Sequence, residues 1–397
     1  MTDPSPVHSR VGFALWKARA RLIGSGVARG VEGAGLGRRA LLLSRVFPFR
    51  FPTLPATHQN ESQAREFARA LAEIGYEVDV ADFDEHRRVL DREYDLVIDL
   101  HPDEHPIYEG RLRPGAKRIC YITGSNPTFS NEAERARLAD LVARRGVSLR
   151  PRRQVRPFPR SVLQPFDAMF LFGNKTTLAT YAEFRLPPVR YMVNNGYDDV
   201  IPTDPSCRDP RCFLFMASVG QVHKGLDLLL EIFAREPDLS LVVCSMFARE
   251  RDFVRAYRRE LFETPTIRPV GFVDVRSPAF RDLQAGCGAM ILPSCSEGQS
   301  GSVTVAMSFG LPCIVSAPCG FEEPEIWTLP DCSIGTIRST VREWASRPHA
   351  WVRERSERTL ALLRRGYTRA DYARSIRDGL AETLGAAAVG AGAGAVR

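Results

Sequence analysis

The stretch PSCSEGQSGSVTVAMSFGLP, residues 293–312, decides the reading of this chain. Just before it, AMIL (residues 289–292) is a short apolar run and a candidate strand. A Ser/Gly-rich loop follows, and the apolar spacing from Val303 to Phe309 is that of a buried helix starting near Ser302. A strand that turns through such a loop into a helix leaves the first N–H groups of the helix free. Together with the helix dipole they favour an anion such as a diphosphate. Gly298, Ser300, Gly301 and Ser302 leave room for a phosphate and add hydroxyl donors, while Glu297 stands where a carboxylate can accept hydrogen bonds from sugar hydroxyls. A capped helix start with a solvated glutamate has the same composition, so this loop alone leaves both readings open.

A second loop of this kind is SVGQVHKGLD, residues 218–227. It follows the apolar run CFLFMAS (residues 212–218) and leads into a helix over residues 226–234. Lys224 sits where an ammonium reaches a diphosphate, and Gly220 and Gly225 allow tight turns. One such lysine, taken singly, reads better as an exposed loop residue. Two loops at strand ends in the same half of the chain point to a shared anion site.

Working outward, strands and helices alternate along most of the chain. Candidate strands are residues 40–47, 76–83, 94–100, 118–123 and 167–172 in the first half. In the second half they are 212–218, 239–245, 267–270, 289–292 and 313–317. Candidate helices include 61–74, 133–145, 252–262 and one from Lys175 or Thr176. The pattern predicts an α/β protein with two doubly wound, Rossmann-like domains facing a cleft, and ligands outside the C-terminal ends of the strands. The expected division is a basic, Gly-rich mobile arm over 1–37, a first Rossmann-like domain over 38–195, a second with trailing helices over 196–384, and a disordered Ala/Gly tail over 385–397.

Five segments carry a family resemblance: NNGYD (194–198), HKGLDLLLEIF (223–233), PSCSEGQS (293–300), AMSFGLPCIVS (306–316) and CGFEEPEI (319–326). In this order and spacing, residues 190–330 resemble the C-terminal domain of the retaining group 1, or GT4, glycosyltransferases. That resemblance implies a GT-B fold, a UDP- or GDP-linked sugar as substrate, no further cofactor and no required metal. It implies that Lys224 and the start of the helix after Ser300 balance the departing diphosphate, and that Glu297 orients the sugar. Two positions depart from the family pattern. A second Glu, which grips the nucleotide ribose in the family, is Val305 here, and an Arg expected shortly after Gly220 is absent, with Gln221 in its place. The donor is then gripped differently, or the donor is unusual, or the activity is lost.

In the first half, three strand-end segments are expected at the cleft: HQNES (58–62), His101 in DLHPDEHP, and GSNP (124–127). By resemblance, a residue of this domain touches the donor sugar opposite the glutamate. His101 is the candidate, completing a catalytic set with Glu297 and Lys224, and it also reads as a turn histidine before Pro102. Gly124, Ser125, Asn126 and Asn174 are acceptor-side candidates, although Asn126 and Asn174 also suit plain helix caps.

Composition limits the alternatives. Of 397 residues, 44% are apolar and 25% charged, a globular balance. Nine cysteines, mostly in apolar runs, argue against a disulfide framework or a zinc site and for a reducing cytoplasm. No run of about 20 apolar residues spans a bilayer. Residues 1–50 hold nine basic and two acidic residues, so the net +7 of the chain is concentrated there. The remainder is near neutral, and no aromatic-plus-basic pattern points to nucleic acid. The basic arm is expected to add peripheral attraction to anionic membrane at the cytoplasmic face. A run of seven arginines from Arg144 to Arg160 is either a solvated loop or a docking surface for an anionic, lipid-linked or carbohydrate acceptor. Two other classes remain open on sequence: a nucleotide-sugar epimerase or hydrolase, and a former transferase that binds a glycan or a partner.

Overall fold

Near-continuous runs of Leu, Val, Ile and Phe, with no polar alternation, become strands buried on both faces of parallel sheets. The computed structural model describes residues 26–51, 59–83, 90–100, 102 and 106–385, with Leu15 and Ala18. The arm over 1–37, for which attraction to anionic membrane is expected, lies outside the described residues apart from those two residues and 26–37, as do His58, His101 and all of the tail but Gly385.

The first sheet holds β1 (Val27–Glu32), β2 (Arg38–Ser44), β3 (Tyr76–Asp82), β4 (Tyr94–Asp99), β5 (Leu112–Ile122), β6 (Ala168–Phe172) and β7 (Val189–Met192). Their spatial order is β1-β3-β2-β4-β5-β6-β7. Leu41 of β2 pairs in register with Asp79 of β3 and Val97 of β4. All neighbours run parallel except β1, which is antiparallel to β3. The second sheet holds β8 (Asp209–Ala217), β9 (Ser240–Ser245), β10 (Ile267–Pro269), β11 (Cys287–Leu292), β12 (Cys313–Ser316) and β13 (Trp327–Leu329). Its order is β10-β9-β8-β11-β12-β13, parallel throughout. The chain leaves β8 toward β9 and returns to its other side as β11. The β8–β11 boundary is therefore the topological switch point, where the following loops part and leave a crevice.

Six helices position the site: α1 (Gln59–Glu73), α2 (Pro127–Arg145), α3 (Leu226–Phe233), α4 (Gly301–Ser308), α5 (His349–Gly366) and α6 (Arg369–Leu384). The start of α2 is fixed by Asn126, whose side chain accepts from Thr128 N at 2.8 Å, and by Pro127 in the first turn. Gly146 at φ 67° ends it.

Two boundaries differ from the sequence reading. Residues 27–32, assigned to the mobile arm, form the edge strand β1, because Val27 and Ala28 pair with Ala81 and Val80. Residues 369–384, assigned to the second domain, pack on the first. Tyr372, Ile376 and Leu380 of α6 are buried in its core with Phe67, Tyr121 and Phe170, and the Tyr121 and Tyr372 hydroxyls lie 3.1 Å apart. In exchange, Leu141 of α2 belongs to the core of the second domain. The helix expected over 252–262 is two short ones that break at Tyr257. The edge strands β7 and β13, four and three residues long, are too short to show a period.

Candidate functional site

The loops after β8 and β11 meet at the switch point. Lys224 from the first and Glu297 from the second form an ion pair. Glu297 also accepts from Ser294 Oγ at 2.6 Å. Burial alone would raise the Glu297 carboxyl, but Lys224, then His223, and the hydrogen bonds from Lys224 and Ser294 overcome it and hold the group below its usual value. His223 is buried, with Nε2 2.8 Å from Ser296 O. A carbonyl only accepts, so Nε2 carries the proton, and Nδ1 is a buried atom without a partner. Burial first, then the Lys224 charge, bring the imidazole down to about 4.

Ser300 caps α4 without a side-chain hydrogen bond, and the N–H groups of Gly301 and Ser302 find no acceptor among the described residues. Lys224, Glu297, Gly298, Ser300, Gly301, Ser302 and Val305 line one cleft of about 440 Å³. Its floor is strand-end residues of both sheets: Thr123 and Phe172 from the first, Ala217, Ser218, Cys244 and Met246 from the second. Beyond Glu297 and Gly298 lies a second cavity of about 280 Å³ that Gly124, Ser125 and His223 help to line.

The domains touch at this centre. A Cβ on Gly298 would stand 2.5 Å from Thr123 O and 2.7 Å from Phe172 O, so only glycine fits between the strand ends. Ser125 N donates to Glu297 O at 2.9 Å. Gln59 of α1 donates to Asn195 O at 2.5 Å and to Thr304 Oγ1 at 3.0 Å. Gln63, one turn on, reaches Asn194 Oδ1 at 2.8 Å and Asn195 Oδ1 at 3.1 Å. Asn194 in turn is held by Gln299, donating from its backbone N to Oε1 at 2.6 Å and from Nδ2 to the Gln299 carbonyl at 2.7 Å.

Some candidates fall elsewhere. Asn174 is occupied as a cap, accepting from Thr176 N and Thr177 N, and lines neither cavity. Asn126 is likewise buried at the start of α2. Gly225, at φ 81°, lets the chain pass Pro293, whose carbonyl would be 2.6 Å from a Cβ. Gly220 sits at φ 89° beside Arg153, and its amide is taken by the buried Glu250, as is that of Gln221. His101 lies outside the described residues.

The arginine run is mostly paired, because folding brings acids from distant segments to it. Arg144 meets Asp227 at 2.6 Å and Glu231 at 2.5 Å, Arg145 meets Glu260 at 2.6 Å, Arg152 meets Asp252, and Arg160 meets Glu183 at 2.7 Å. These pairs tie α2 and the chain after it largely to the second domain. The sequence reading missed Gln63 and Glu250; it held Gln59 only as part of the HQNES segment and Arg153 only as one of the arginine run, with no role given to either. Gln59 and Gln63 lie four apart on the buried face of α1, and that pattern of amides among apolar residues is the signal that marks them.

Residues 210–328 match the family model for glycosyl transferases group 1. Over that stretch the second domain is similar to the group 1 glycosyl transferases. Solved structures similar to the chain share its fold. Sucrose-phosphate synthase (tll1590) from Thermosynechococcus elongatus is 14% identical, at TM-score 0.61, with 88% of this chain and all of that one covered. An alpha,alpha-trehalose-phosphate synthase (UDP-forming) from Burkholderia vietnamiensis is 11% identical, at TM-score 0.55, over 91% of this chain and 99% of that one. TarM is 10% identical, at TM-score 0.51, over 73% of this chain, which spans only 54% of TarM. No curated protein matches the chain by sequence. The fold is GT-B, two Rossmann-like domains about a cleft. Among the described residues no helix is long and apolar enough to cross a membrane.

Proposed function

We propose that the chain is a glycosyltransferase that moves a sugar from a nucleotide diphosphate donor to a hydroxyl acceptor, with retention at the anomeric carbon. One observation carries this reading: Lys224, Glu297 and the unpaired amides of Gly301 and Ser302 line a single cleft between the strand ends of two sheets. The donor diphosphate lies against the start of α4 and beside Lys224, and the sugar extends toward Glu297. The bond from the anomeric carbon to the diphosphate oxygen breaks with its electron pair on the diphosphate, the acceptor hydroxyl oxygen bonds to that carbon from the same face, and the hydroxyl proton passes to the departing diphosphate oxygen. Lys224 and the two amides balance the charge that develops there, the electrostatic role that dominates many enzymes. Glu297, held as a carboxylate, accepts hydrogen bonds from the sugar hydroxyls. Contact between the domains at Gly298 keeps water from the reacting carbon. The 280 Å³ cavity on the far side of Glu297 takes the acceptor, a carbohydrate or a lipid-linked one.

The donor nucleotide is UDP- or GDP-linked, and the chemistry assigned to these side chains needs no metal. A second reading, a degenerate member that binds a nucleotide or glycan without transfer, has one observation in its favour. Val305 lines the cleft where the resemblance calls for a carboxylate on the ribose. Calorimetry of the full chain with UDP and GDP, followed by incubation with a panel of UDP- and GDP-sugars, separates the two. Binding with release of nucleoside diphosphate in the presence of an acceptor supports transfer. Binding without turnover favours the second reading, and no binding of either nucleotide excludes both donors. The configuration of the product, read by the NMR coupling at the anomeric proton, tests retention.

A further inference from the structure

The loop after β8 lacks the second cation that the family resemblance leads one to expect. Gln221 is buried, its side chain bonded to Ser218 O at 2.9 Å and to Ser245 Oγ at 2.9 Å. The amides of Gly220 and Gln221 are taken by the Glu250 carboxylate, so they offer an anion nothing. Lys224 is already balanced by Glu297. A doubly negative diphosphate in this cleft would face little net positive charge from the second domain's own loops.

Arg153 supplies what is missing, and it comes from the segment after α2. It lines both the 440 Å³ cleft and the 280 Å³ cavity, at the junction between them. Its guanidinium has no hydrogen-bond or ion-pair partner among the described residues, although Arg144, Arg145, Arg152 and Arg160 around it are all paired. The backbone that carries it is held firmly. Arg152 N and Arg153 N donate to the buried Glu134 carboxylate at 2.8 and 3.0 Å, and Gln154 Nε2 reaches the same group at 2.7 Å. Val155 N donates to Asn131 Oδ1 at 2.9 Å, and the Asn131 amide returns a bond to Val155 O at 2.6 Å. Across the way Gly220 leaves space: a Cβ there would stand 2.6 Å from Arg153 Cγ. A fixed backbone, a cleared path and an unpaired guanidinium are the marks of a placed phosphate ligand, because a guanidinium can meet two phosphate oxygens at once.

We infer that Arg153 binds the diphosphate of the nucleotide donor, taking the place of the absent cation after Gly220. The assignment rests on the donor reading above, and the two are tested apart. Full-length wild type, Arg153→Ala, Arg153→Lys and the control Arg160→Ala are titrated calorimetrically with UDP and GDP, and each is melted without nucleotide. Arg153→Ala is expected to bind the nucleotide at least tenfold more weakly with an unchanged melting temperature. Arg153→Lys should fall between it and the wild type, since an ammonium gives no two-point contact, and Arg160→Ala should match the wild type. Unchanged affinity in Arg153→Ala, or an equal loss in Arg160→Ala, overturns the assignment of Arg153. So does a loss that tracks a lowered melting temperature. If the wild type binds neither UDP nor GDP, it is the donor reading that fails.

Discussion

Lys224 and Glu297 reach each other across the β8–β11 switch point, each from the loop that follows its strand, with side chains only 9% and 12% exposed. Neither charge is stable there alone. Removing one partner of a buried pair leaves an unpaired charge and typically costs about 3–5 kcal/mol. Lys224→Ala should therefore destabilise the fold by about 3 kcal/mol in urea unfolding, and raise the Glu297 carboxyl, since burial is then less opposed. Lys224→Ala/Glu297→Ala should regain part of that stability. Transfer activity should fall by roughly 100-fold or more in both, since the loss of one donor to a developing anion costs about that much.

Gly298 is expected to admit no side chain without parting the domains. Gly298→Ala puts a methyl group against two backbone carbonyls, Thr123 O and Phe172 O, which belong to strand ends and cannot step aside. Small-angle scattering should show a larger radius of gyration than wild type, with secondary structure intact by circular dichroism and turnover lost. A variant of wild-type dimensions and full turnover would show that the contact is not needed.

His223 couples the site to pH. Its folded value is depressed to about 4, against an ordinary 6.5, chiefly by burial. Between those values the unfolded chain holds the extra proton, so the contribution is fully present above pH 6.5 and is lost as pH falls toward 4. The span corresponds to about 3 kcal/mol. His223→Gln keeps a donor for Ser296 O and does not titrate. Unfolding free energies measured from pH 7 to pH 4 should fall more steeply in the wild type than in this variant.

Gln59 offers a test of the interdomain bonds. It is buried, and both of its acceptors lie in the chain from Asn195 onward. Gln59→Ala should cost about 1–3 kcal/mol, the usual range for a buried polar group left without its partner. Hydrogen exchange should rise at the starts of α1 and α4 together, and a rise confined to α1 would argue that the bonds do not bridge the domains.

The second domain was legible because its signals are local. A strand, a Gly/Ser loop and a helix start lie within twenty residues, and the order of five short motifs carries the family resemblance. Placing Lys224 and Glu297 in one cleft needed only the rule that ligands gather at strand ends. The rest depended on contacts between distant residues. Nothing near Arg144 announces that Asp227 will neutralise it, and nothing near Arg153 announces that no acid among the described residues will. The side chains of Asn126 and Asn174 favour a cap or a ligand equally well until a helix is seen to use them. Tyr372, Ile376 and Leu380 follow a helical period that marks a buried face without saying which sheet buries it.

The return of α6 to the first sheet has a bearing on biosynthesis. Tyr372, Ile376 and Leu380 leave the ribosome only after every strand of the second sheet, yet they complete the core around Phe67, Tyr121 and Phe170. The first domain thus stays unfinished, and open to chaperones, until the whole second sheet has emerged. Any nascent chain cut short before Tyr372 should leave it an unfinished, aggregation-prone half.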